Sequence, residues 1–574
     1  MKKSTKVFGI DLGTTYSCIS YVDEYGKATI IPNRDGERTT PSVVCFDIGS
    51  ATVGSDAKDC APMEPQNVCT HIKRQMGVED YSMVYHGVEY TPEEISSFIL
   101  RKLVQDASEY LNEEVHDVVI TCPAYFFVRE RNATKRAGEL AGLNVLQIVN
   151  EPTAAAVSYG YNEGKEVKTA LVYDLGGGTF DVTVMRFSPN SIEAICTDGD
   201  HRLGGKDWDD RLVTHVAQKF CEATGCTNSP LEDPESQAQL FLDAEKAKKS
   251  LSARTSVKIR VSHEGERENI EVTREEFEEL TRDLLERTVA FTKSVLKIAA
   301  DKNVTVDEIL LVGGSSKMPA VSQILKEEFN LPLRLYDPDE SVAKGAAIIG
   351  NNLRLRKLIE SKVSDARESG AELVVDDVED IIDEVAAETG YTLETVIGSL
   401  RKVKNVASKS FGVPCIYNSA QHDLYLERLI ATDADFDLFA PDNGMMTSNL
   451  IFKNTSLPAK GERFFATMVD DQAVINFTLC ENQASEEESE DGVSLELCSV
   501  ISKREFELPP RLEEGTPLRV TFELDEEGLL TAVMALFDSC GRLHTFRQEV
   551  QTGKALSEHE RLEQERRCSD LTID

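Results

Sequence analysis

The sequence has 574 residues, too many for a single hydrophobic core, so we expect two or more domains. Its formal net charge is -38, from 62 basic and 100 acidic residues, which argues against nucleic acid or an anionic membrane surface as a partner. No apolar run approaches the length needed to cross a bilayer, and no apolar signal core precedes residues 7–10, where the first strand is predicted. We therefore predict a cytoplasmic protein.

The first 352 residues alternate short β-rich runs with longer amphipathic stretches, a pattern typical of an α/β domain. Short apolar runs predict buried strands at residues 118–121, 169–173 and 308–312. Amphipathic spacing predicts helices at residues 129–140 and 274–299.

The character of the chain changes twice after this region. In residues 353–404, apolar residues recur at helical spacing among many acids, which predicts an acidic helical insert or linker. In residues 405–551, strand-like runs are separated by Gly and Pro turns, which predicts an all-β domain. Residues 552–574 are predicted to be a short polar tail, able to form one helix but too poor in apolar surface to fold as a domain.

Two segments of the first domain resemble each other, residues 7–15 and residues 171–181. Each is an apolar strand that ends in an aspartate, Asp11 or Asp174, and runs into a turn of glycine and threonine. Glycine lets backbone N–H groups approach phosphate oxygens, threonine adds a hydroxyl donor, and aspartate can hold magnesium directly or through its waters. The pair predicts two loops that clamp a magnesium-bound triphosphate from both sides. A third glycine turn, at residues 313–315, also follows a predicted strand.

The thirteen cysteines are scattered singly, and no Cys-x-x-Cys pair is present. Scattered thiols in a cytosolic chain are typical of small buried apolar residues. We therefore predict neither disulfides nor a zinc site.

These motifs resemble the actin-like ATPases, and within that superfamily the seventy-kilodalton heat-shock protein chaperone family. The resemblance covers about residues 6–352, and it rests on motifs in the family's order at residues 9–18, 38–42, 123–126, 150–156, 174–181 and 313–315. It implies an α/β actin-like ATPase domain of two ribonuclease-H-like lobes in residues 1–352. It also implies an all-β sandwich that binds substrate in residues 405–551, after the insert at 353–404.

The resemblance implies an ATPase that uses magnesium and ATP or ADP. The catalytic positions it implies are Lys73, Glu151, Asp174, Thr179 and Asp11. Asp11 and Asp174 would hold magnesium largely through water, Lys73 would lie beside the γ-phosphate, and the pair Pro123 and Arg131 would act as an interdomain switch. The nucleotide-binding positions it implies are Gly13, Thr14, Thr15, Tyr16, Gly176, Gly177, Gly178, Glu245, Lys248, Lys249, Ser252, Gly313, Gly314, Ser315, Lys317 and Asp339.

The β-domain resembles the family less densely. The implied β-sandwich would clasp an extended polypeptide through backbone hydrogen bonds and one apolar pocket. By position, the candidates for the pocket are Val413, Ile416, Phe465, Met468 and Val474. The alternative is that all five are ordinary sandwich core.

The chain departs from the family at several places. The stretch between Lys73 and Glu151 is shorter than in typical members, so one ATPase lobe is trimmed and the binding of nucleotide exchange factors is in question. Lys249 and Lys317 stand where many members have arginine, which predicts weaker nucleotide affinity because lysine cannot stack flat on adenine. The family's apolar linker is not visible, and neither is its full helical lid, so we expect bound peptide to leave faster.

The predicted function is an ATP-dependent chaperone that binds extended hydrophobic segments of unfolded polypeptides, with ATP binding and hydrolysis controlling peptide affinity. A J-domain co-chaperone and a nucleotide exchange factor stay open as partners. Two alternatives also stay open: a nucleotide-gated interaction module with little hydrolysis, and an actin-like or sugar-kinase-like ATPase.

Overall fold

The computed structural model describes residues 2–78, 80–162, 167–368, 375–416, 445–490, 492–526, 528–550 and 558–574. The chain divides into two compact units. The first comprises Met1–Tyr125, Ala133–Val403 and Leu556–Asp574, and the second comprises Phe126–Asn132 and Lys404–Ala555. Within the described ranges, no helix combines the length and apolar character that crossing a bilayer requires.

Up to the boundary near residue 404, the described residues form 21 strands. They are β1 (Lys2–Lys3), β2 (Phe8–Asp11), β3 (Tyr16–Val22), β4 (Ala28–Ile31), β5 (Thr40–Pro41), β6 (Val43–Asp47), β7 (Ser50–Val53), β8 (Val68–Thr70), β9 (Met83–Tyr85), β10 (Val88–Tyr90), β11 (Glu113–Glu114), β12 (Asp117–Cys122), β13 (Asn144–Asn150), β14 (Lys168–Leu175), β15 (Phe180–Phe187), β16 (Ser191–Asp200), β17 (Ser256–His263), β18 (Glu266–Thr273), β19 (Glu308–Val312), β20 (Leu333–Leu335) and β21 (Lys402–Lys404).

The α-helices of the same region alternate with these strands. They are α1 (Ser55–Cys60), α2 (Pro92–Leu111), α3 (Val128–Leu140), α4 (Glu151–Asn162), α5 (Gly205–Thr224), α6 (Pro234–Leu251), α7 (Arg274–Leu280), α8 (Arg282–Asp301), α9 (Pro319–Phe329), α10 (Ser341–Glu368), α11 (Val375–Thr389) and α12 (Leu393–Gly398). The first unit is therefore α/β, as the sequence predicts.

Two sheets of the first unit repeat one topology. In one, β2, β3 and β4 are antiparallel, β12 pairs parallel with β2, and β13 pairs parallel with β12. In the other, β14, β15 and β16 are antiparallel, β19 pairs parallel with β14, and β20 pairs parallel with β19. Asp11 ends β2, and Asp174 is the penultimate residue of β14. The two predicted phosphate loops therefore leave equivalent strands of the two sheets.

Helix α10 packs closely against the first sheet and against α4, with backbone against backbone at two glycines. A Cβ on Gly9 of β2 would lie 2.1 Å from the backbone N of Ala347, and a Cβ on Gly345 would lie 1.7 Å from the carbonyl O of Ala154. Only glycine fits at these two places, because the opposing atoms belong to the backbone. This contact fixes α4, whose first residue is Glu151.

The predicted strands at 118–121, 169–173 and 308–312 are confirmed as parts of β12, β14 and β19. The prediction of one continuous helix at 274–299 is wrong, because the helix breaks at Thr281 into α7 and α8. The Thr281 hydroxyl donates to the Phe277 carbonyl, a side-chain bond that competes with the helical ladder. Helix α10 continues to Glu368, past the boundary predicted at residue 352, and the insert helices α11 and α12 belong to the first unit.

The second unit contains an all-β body, as predicted. Its strands are β22 (Ser410–Ile416), β23 (Met445–Ile451), β24 (Ala459–Ala466), β25 (Val474–Asn482), β26 (Val493–Ser494), β27 (Cys498–Glu507), β28 (Pro517–Leu524), β29 (Leu530–Phe537) and β30 (Leu543–Glu549). They form antiparallel sheets in the orders β26-β23-β22-β25-β27 and β24-β28-β29-β30. Apolar side chains from both sheets share one core, including Phe411, Leu479, Phe522 and Met534.

The end of the chain returns to the first unit. It forms α13 (Glu558–Asp570) and β31 (Thr572–Ile573), and β31 pairs parallel with β7 in a sheet of order β31-β7-β6-β8. The predicted helix is present, but Cys568, Leu571 and Ile573 are buried, so the prediction of a merely polar tail is corrected. Residues 552–557 of the predicted tail lie outside the described part of the chain.

Candidate functional site

A cleft of about 530 Å³ in the first unit is lined by residues from both repeated sheets. The predicted site residues that line it are Asp11, Gly13, Thr14, Thr15, Tyr16, Lys73, Glu151, Asp174, Gly176, Gly177, Thr179, Glu245, Lys248, Lys249, Ser252, Gly313, Gly314, Ser315, Lys317 and Asp339. Asp11 and Asp174, which lie more than 160 residues apart in the sequence, thus share one cleft.

The two glycine loops face each other across this cleft. A Cβ on Gly177 would lie 2.1 Å from Thr15 Oγ1, and a Cβ on Gly178 would lie 2.3 Å from Thr14 Oγ1. The loops approach so closely that any side chain at these glycines would collide with the threonines opposite. Such an approach leaves backbone N–H groups and hydroxyls as the groups that can surround a phosphate.

A cluster of one lysine and several carboxyl groups lies at the base of the cleft. Lys73 forms a buried ion pair with Glu151, Asp174 and Asp181 are also buried, and Asp11 is half-buried. Burial and the neighbouring Glu151 carboxylate raise the pKa of Asp11 to about 7 and that of Asp174 well above its ordinary value. Burial alone would lower the pKa of Lys73, but Glu151 and Asp11 outweigh it and raise that pKa.

This cluster suits an additional cation, because its carboxylates outnumber the lysine and three of them, Asp11, Asp174 and Asp181, have raised pKa values and resist ionisation. In the described part of the chain, no three His, Cys, Asp or Glu side chains converge as a direct metal-ligand group. Magnesium commonly keeps much of its hydration shell, so carboxylates such as those of Asp11 and Asp174 can hold it through water without a direct ligand group.

A hydrogen-bonded cluster closes the other end of the cleft. Glu245 on α6 accepts the Tyr16 hydroxyl at 3.1 Å and pairs with Lys249 at 2.7 Å and with Lys58 of α1. Burial would raise the pKa of Glu245, but the ammonium groups of Lys58 and Lys249 outweigh burial and lower it to about 2. Glu245 therefore stays ionised at neutral pH. Lys248 points elsewhere, to Asp209 at 2.6 Å and to the Gly205 carbonyl at 2.8 Å.

The third glycine turn packs against the second phosphate loop. Ser315 Oγ donates to the Gly176 carbonyl at 2.9 Å, and a Cβ on Gly313 would lie 2.5 Å from Asp174 Oδ1. Gly313 also has a φ of 79°, a conformation that favours glycine. Lys317 pairs with Asp339 at the rim of the cleft.

Several residues of the cleft escape sequence reasoning. Lys58 joins the cluster around Tyr16, and Arg74 donates to the Gly178 carbonyl at 2.8 Å and pairs with Asp207 at 2.6 Å. Arg74 directly follows Lys73, and this adjacency is the sequence feature from which Arg74 could be predicted. Lys58 lies on a short helix without any motif. Lys58 and Arg74 contact residues of the cleft without lining it, and the lining residues that the sequence does not predict are Cys18, Thr39, Asp209, Met318, Pro338 and Val342.

The remaining predicted residues lie away from the cleft lining. Pro123 is buried in the first unit, and Arg131 is buried in the segment of α3 that belongs to the second unit. Of the pocket candidates, Val413 lies in the sandwich core and Phe465 packs against that core. Ile416 and Met468 are half-buried, and Val474 is 42% exposed. Val474 is therefore not core, and the peptide-binding role of the set stays a prediction.

The fold and the cleft together define a protein with a nucleotide-type cleft between two repeated sheets, joined to an all-β unit. Residues 7–382 match the family model described as Hsp70 protein. Two relatives named "Chaperone protein DnaK", from Halobacterium salinarum strains ATCC 29341 / DSM 671 / R1 and ATCC 700922 / JCM 11081 / NRC-1, are each 35% identical over 538 residues. Each match covers 92% of this chain and 72% of the relative. The chain belongs to the Hsp70 family.

Proposed function

We propose that this chain is an ATP-dependent molecular chaperone that binds extended hydrophobic segments of unfolded polypeptides. The first unit would bind and hydrolyse ATP, the second would hold the polypeptide, and the nucleotide state would set the affinity. The observation that carries the proposal is the cleft in which two glycine loops, headed by Asp11 and Asp174, face each other. The similarity to the two DnaK chaperones spans 92% of the chain, which favours this function over a sugar-kinase-like or filament-forming ATPase.

The residues of the cleft have distinct parts in the proposed hydrolysis. Backbone N–H groups of the two loops and the hydroxyls of Thr14, Thr15 and Thr179 would hold the phosphates. Lys73, held by Glu151, would place a positive charge beside the γ-phosphate, where charge develops in the transition state. Glu151 would orient the attacking water and accept its proton.

Magnesium would be held through water by Asp11 and Asp174, and when bound it would neutralise charge on the phosphate oxygens. The Tyr16, Lys58, Glu245 and Lys249 cluster would contact the nucleoside end. Since no arginine is present in that cluster, recognition there would depend on hydrogen bonds and on aliphatic contact.

Peptide affinity in two nucleotide states tests the proposal. We expect an extended apolar peptide to bind about tenfold or more tightly with ADP than with ATP, a typical size for coupling between two sites. The measurement is fluorescence anisotropy at equilibrium, with an acidic peptide of equal length as the negative ligand. Equal affinity for the apolar peptide with both nucleotides would contradict the proposal.

A matched pair of variants tests where the peptide binds. Val474 on β25 is 42% exposed and Val500 on the neighbouring β27 is 38% exposed, so aspartate should destabilise the fold little at either place. We expect Val474→Asp to weaken apolar peptide binding and Val500→Asp to leave it unchanged. The same loss in both variants would remove Val474 from the pocket.

A further inference from the structure

The tail segment, residues 558–574, docks on the first unit by adding a strand to it. The backbone N of Val53 donates to the Asp574 carbonyl at 3.1 Å, and the backbone N of Asp574 donates to the Ala51 carbonyl at 3.0 Å. β31 thereby covers the outer edge of β7. Strand addition of this kind gives affinity through the backbone, and Ile573, 5% exposed, supplies a buried side chain.

The helix of the tail segment places an arginine on a buried carboxylate. Glu94 is 0% exposed, and its Oε1 accepts from Arg567 Nε at 3.0 Å and Nη2 at 2.6 Å. Its Oε2 accepts the backbone N–H of Thr91, which completes the capping box of α2. Arg567 is therefore the cation that matches a carboxylate fully removed from water, a situation in which loss of the partner is costly.

Helix α2 also holds the backbone of the tail segment. Arg101 donates to the carbonyls of Cys568 and Leu571, the latter at 3.1 Å. The Cys568 side chain is 1% exposed and lies beside Ser97, whose hydroxyl is 3.8 Å from its Sγ. The tail segment thus contacts α2 along successive turns at Glu94, Ser97 and Arg101.

The sheet and the helix that hold the tail segment also frame Lys73. β8 lies at the other edge of the sheet that β31 joins, and it ends at Thr70, three residues before Lys73. Helix α2 contacts the residues that follow Lys73, where Ser96 Oγ donates to Met76 Sδ at 3.4 Å. The short 3₁₀ helix Ile72–Gln75, which carries Lys73, is therefore supported by both β8 and α2.

We propose that residues 558–574 form a detachable latch of the first unit: docked on β7 and α2, the latch holds Lys73 where it acts on the γ-phosphate. This rests on the ATP hydrolysis proposed above. Arg567 is then a positioning residue, because it acts on Lys73 through α2. The β7 edge and the buried Glu94 fit a helix that bears an arginine and is followed by an extended strand. In this chain, α13 and β31 are that helix and strand.

The contacts of the latch are few enough to be reversible. Among residues 561–574, the buried apolar side chains are Cys568, Leu571 and Ile573, while Leu562 on the same helix is 59% exposed. Ordering a segment of this length costs conformational entropy at every residue. Within residues 561–574, three buried apolar side chains and the Arg567–Glu94 pair offset that cost, so we expect the latch to open more readily than the unit beneath it unfolds.

Thiol labelling of the full chain measures whether the latch is docked. Cys568 is buried and lies beside Ser97 of α2, whereas Cys540 is exposed and serves as the reference in the same molecule. We expect maleimide to modify Cys568 far more slowly than Cys540 in the wild type, and Arg567→Ala to speed the modification of Cys568 about tenfold or more. Arg566→Ala is the matched control, because Arg566 is 83% exposed and its ion pair among the described residues is with Asp570 on its own helix. Equal labelling of Cys568 and Cys540 in the wild type would overturn the latch.

Single-turnover hydrolysis with the same variants measures whether the latch positions Lys73. We expect Arg567→Ala to lower the rate about fivefold or more with the ATP dissociation constant unchanged, Arg567→Lys to restore part of the rate, and Arg566→Ala to match the wild type. If the wild type hydrolyses ATP, and Arg567→Ala is labelled faster at Cys568 but hydrolyses ATP as fast as the wild type, the latch is overturned. The proposed ATPase would stand in that case. A wild type that binds ATP without hydrolysing it would overturn the proposed ATPase.

Discussion

Replacing Lys73 by alanine is expected to lower single-turnover ATP hydrolysis by about 100- to 1,000-fold, the usual effect of removing one charge-stabilising group from a phosphoryl-transfer or acyl-transfer site. The reason is geometric: Lys73 is 5% exposed, is held by Glu151 and lines the cleft between the phosphate loops. Its removal takes away the positive charge and leaves Glu151 buried beside Asp11 without its cation.

Lys246→Ala is the control for this change. Lys246 lies on α6, its side chain is 71% exposed, and it pairs weakly with Asp243 at 3.8 Å. We expect the Lys246→Ala variant to hydrolyse ATP at the wild-type rate. Thermal unfolding of both variants separates a loss of chemistry from a loss of fold. Hydrolysis by a folded Lys73→Ala variant at the rate of the Lys246→Ala control would contradict the assigned role.

Replacing Gly345 by alanine is expected to lower the free energy of unfolding of the first unit by about 3 kcal/mol, the upper part of the range for overpacking. The added Cβ would lie 1.7 Å from the Ala154 carbonyl O, and because this is a backbone atom of α4, the two helices must separate. Since α4 begins at Glu151, we expect hydrolysis to fall together with stability.

Gly398→Ala is the matched control for the helix contact. Gly398 ends α12, and a Cβ there would meet nothing within 4 Å. Alanine favours helix over glycine by about 1 kcal/mol, so this variant is expected to be as stable as the wild type or slightly more stable. Chemical denaturation measures both variants. Equal unfolding free energies for the two would show that α10 and α4 do not pack as closely as described.

The two glycine loops could be predicted from the sequence because all their signals are local. An apolar strand, a terminal aspartate and a glycine turn occur together within about ten residues at each of Asp11 and Asp174. That the loops meet in one cleft follows from the repeated sheet topology, which places both at equivalent strand ends. Residues that contact the cleft from elsewhere, such as Lys58, carry no local signal.

The predicted boundary at residue 352 shows the limit of composition as a guide. The chain becomes richer in charge after Leu353, but the charged residues there are good helix formers, so α10 continues through them to Glu368. Arg356 then donates to the Ser399 carbonyl at 2.7 Å and ties α10 to the end of α12. A change of surface character is thus not a change of domain.

The docking of the tail segment could not be predicted for a different reason. Its helix carries mainly charged side chains, and its buried apolar residues, Cys568, Leu571 and Ile573, fit no single helical or strand period. The groups that receive it, at β7 and at Glu94, lie more than 470 residues earlier in the sequence. Only the folded unit shows that Glu94 is buried and that Arg567 reaches it.

The most direct test of the account is peptide release after rapid mixing of a preformed peptide complex with ATP or with ADP. We predict that ATP speeds release about tenfold or more over ADP in the wild type. With ATP, Lys73→Ala should release peptide as fast as the wild type does, because the proposed function assigns release to the binding of ATP and not to its hydrolysis. Release at the same rate with ATP and with ADP in the wild type would contradict the account.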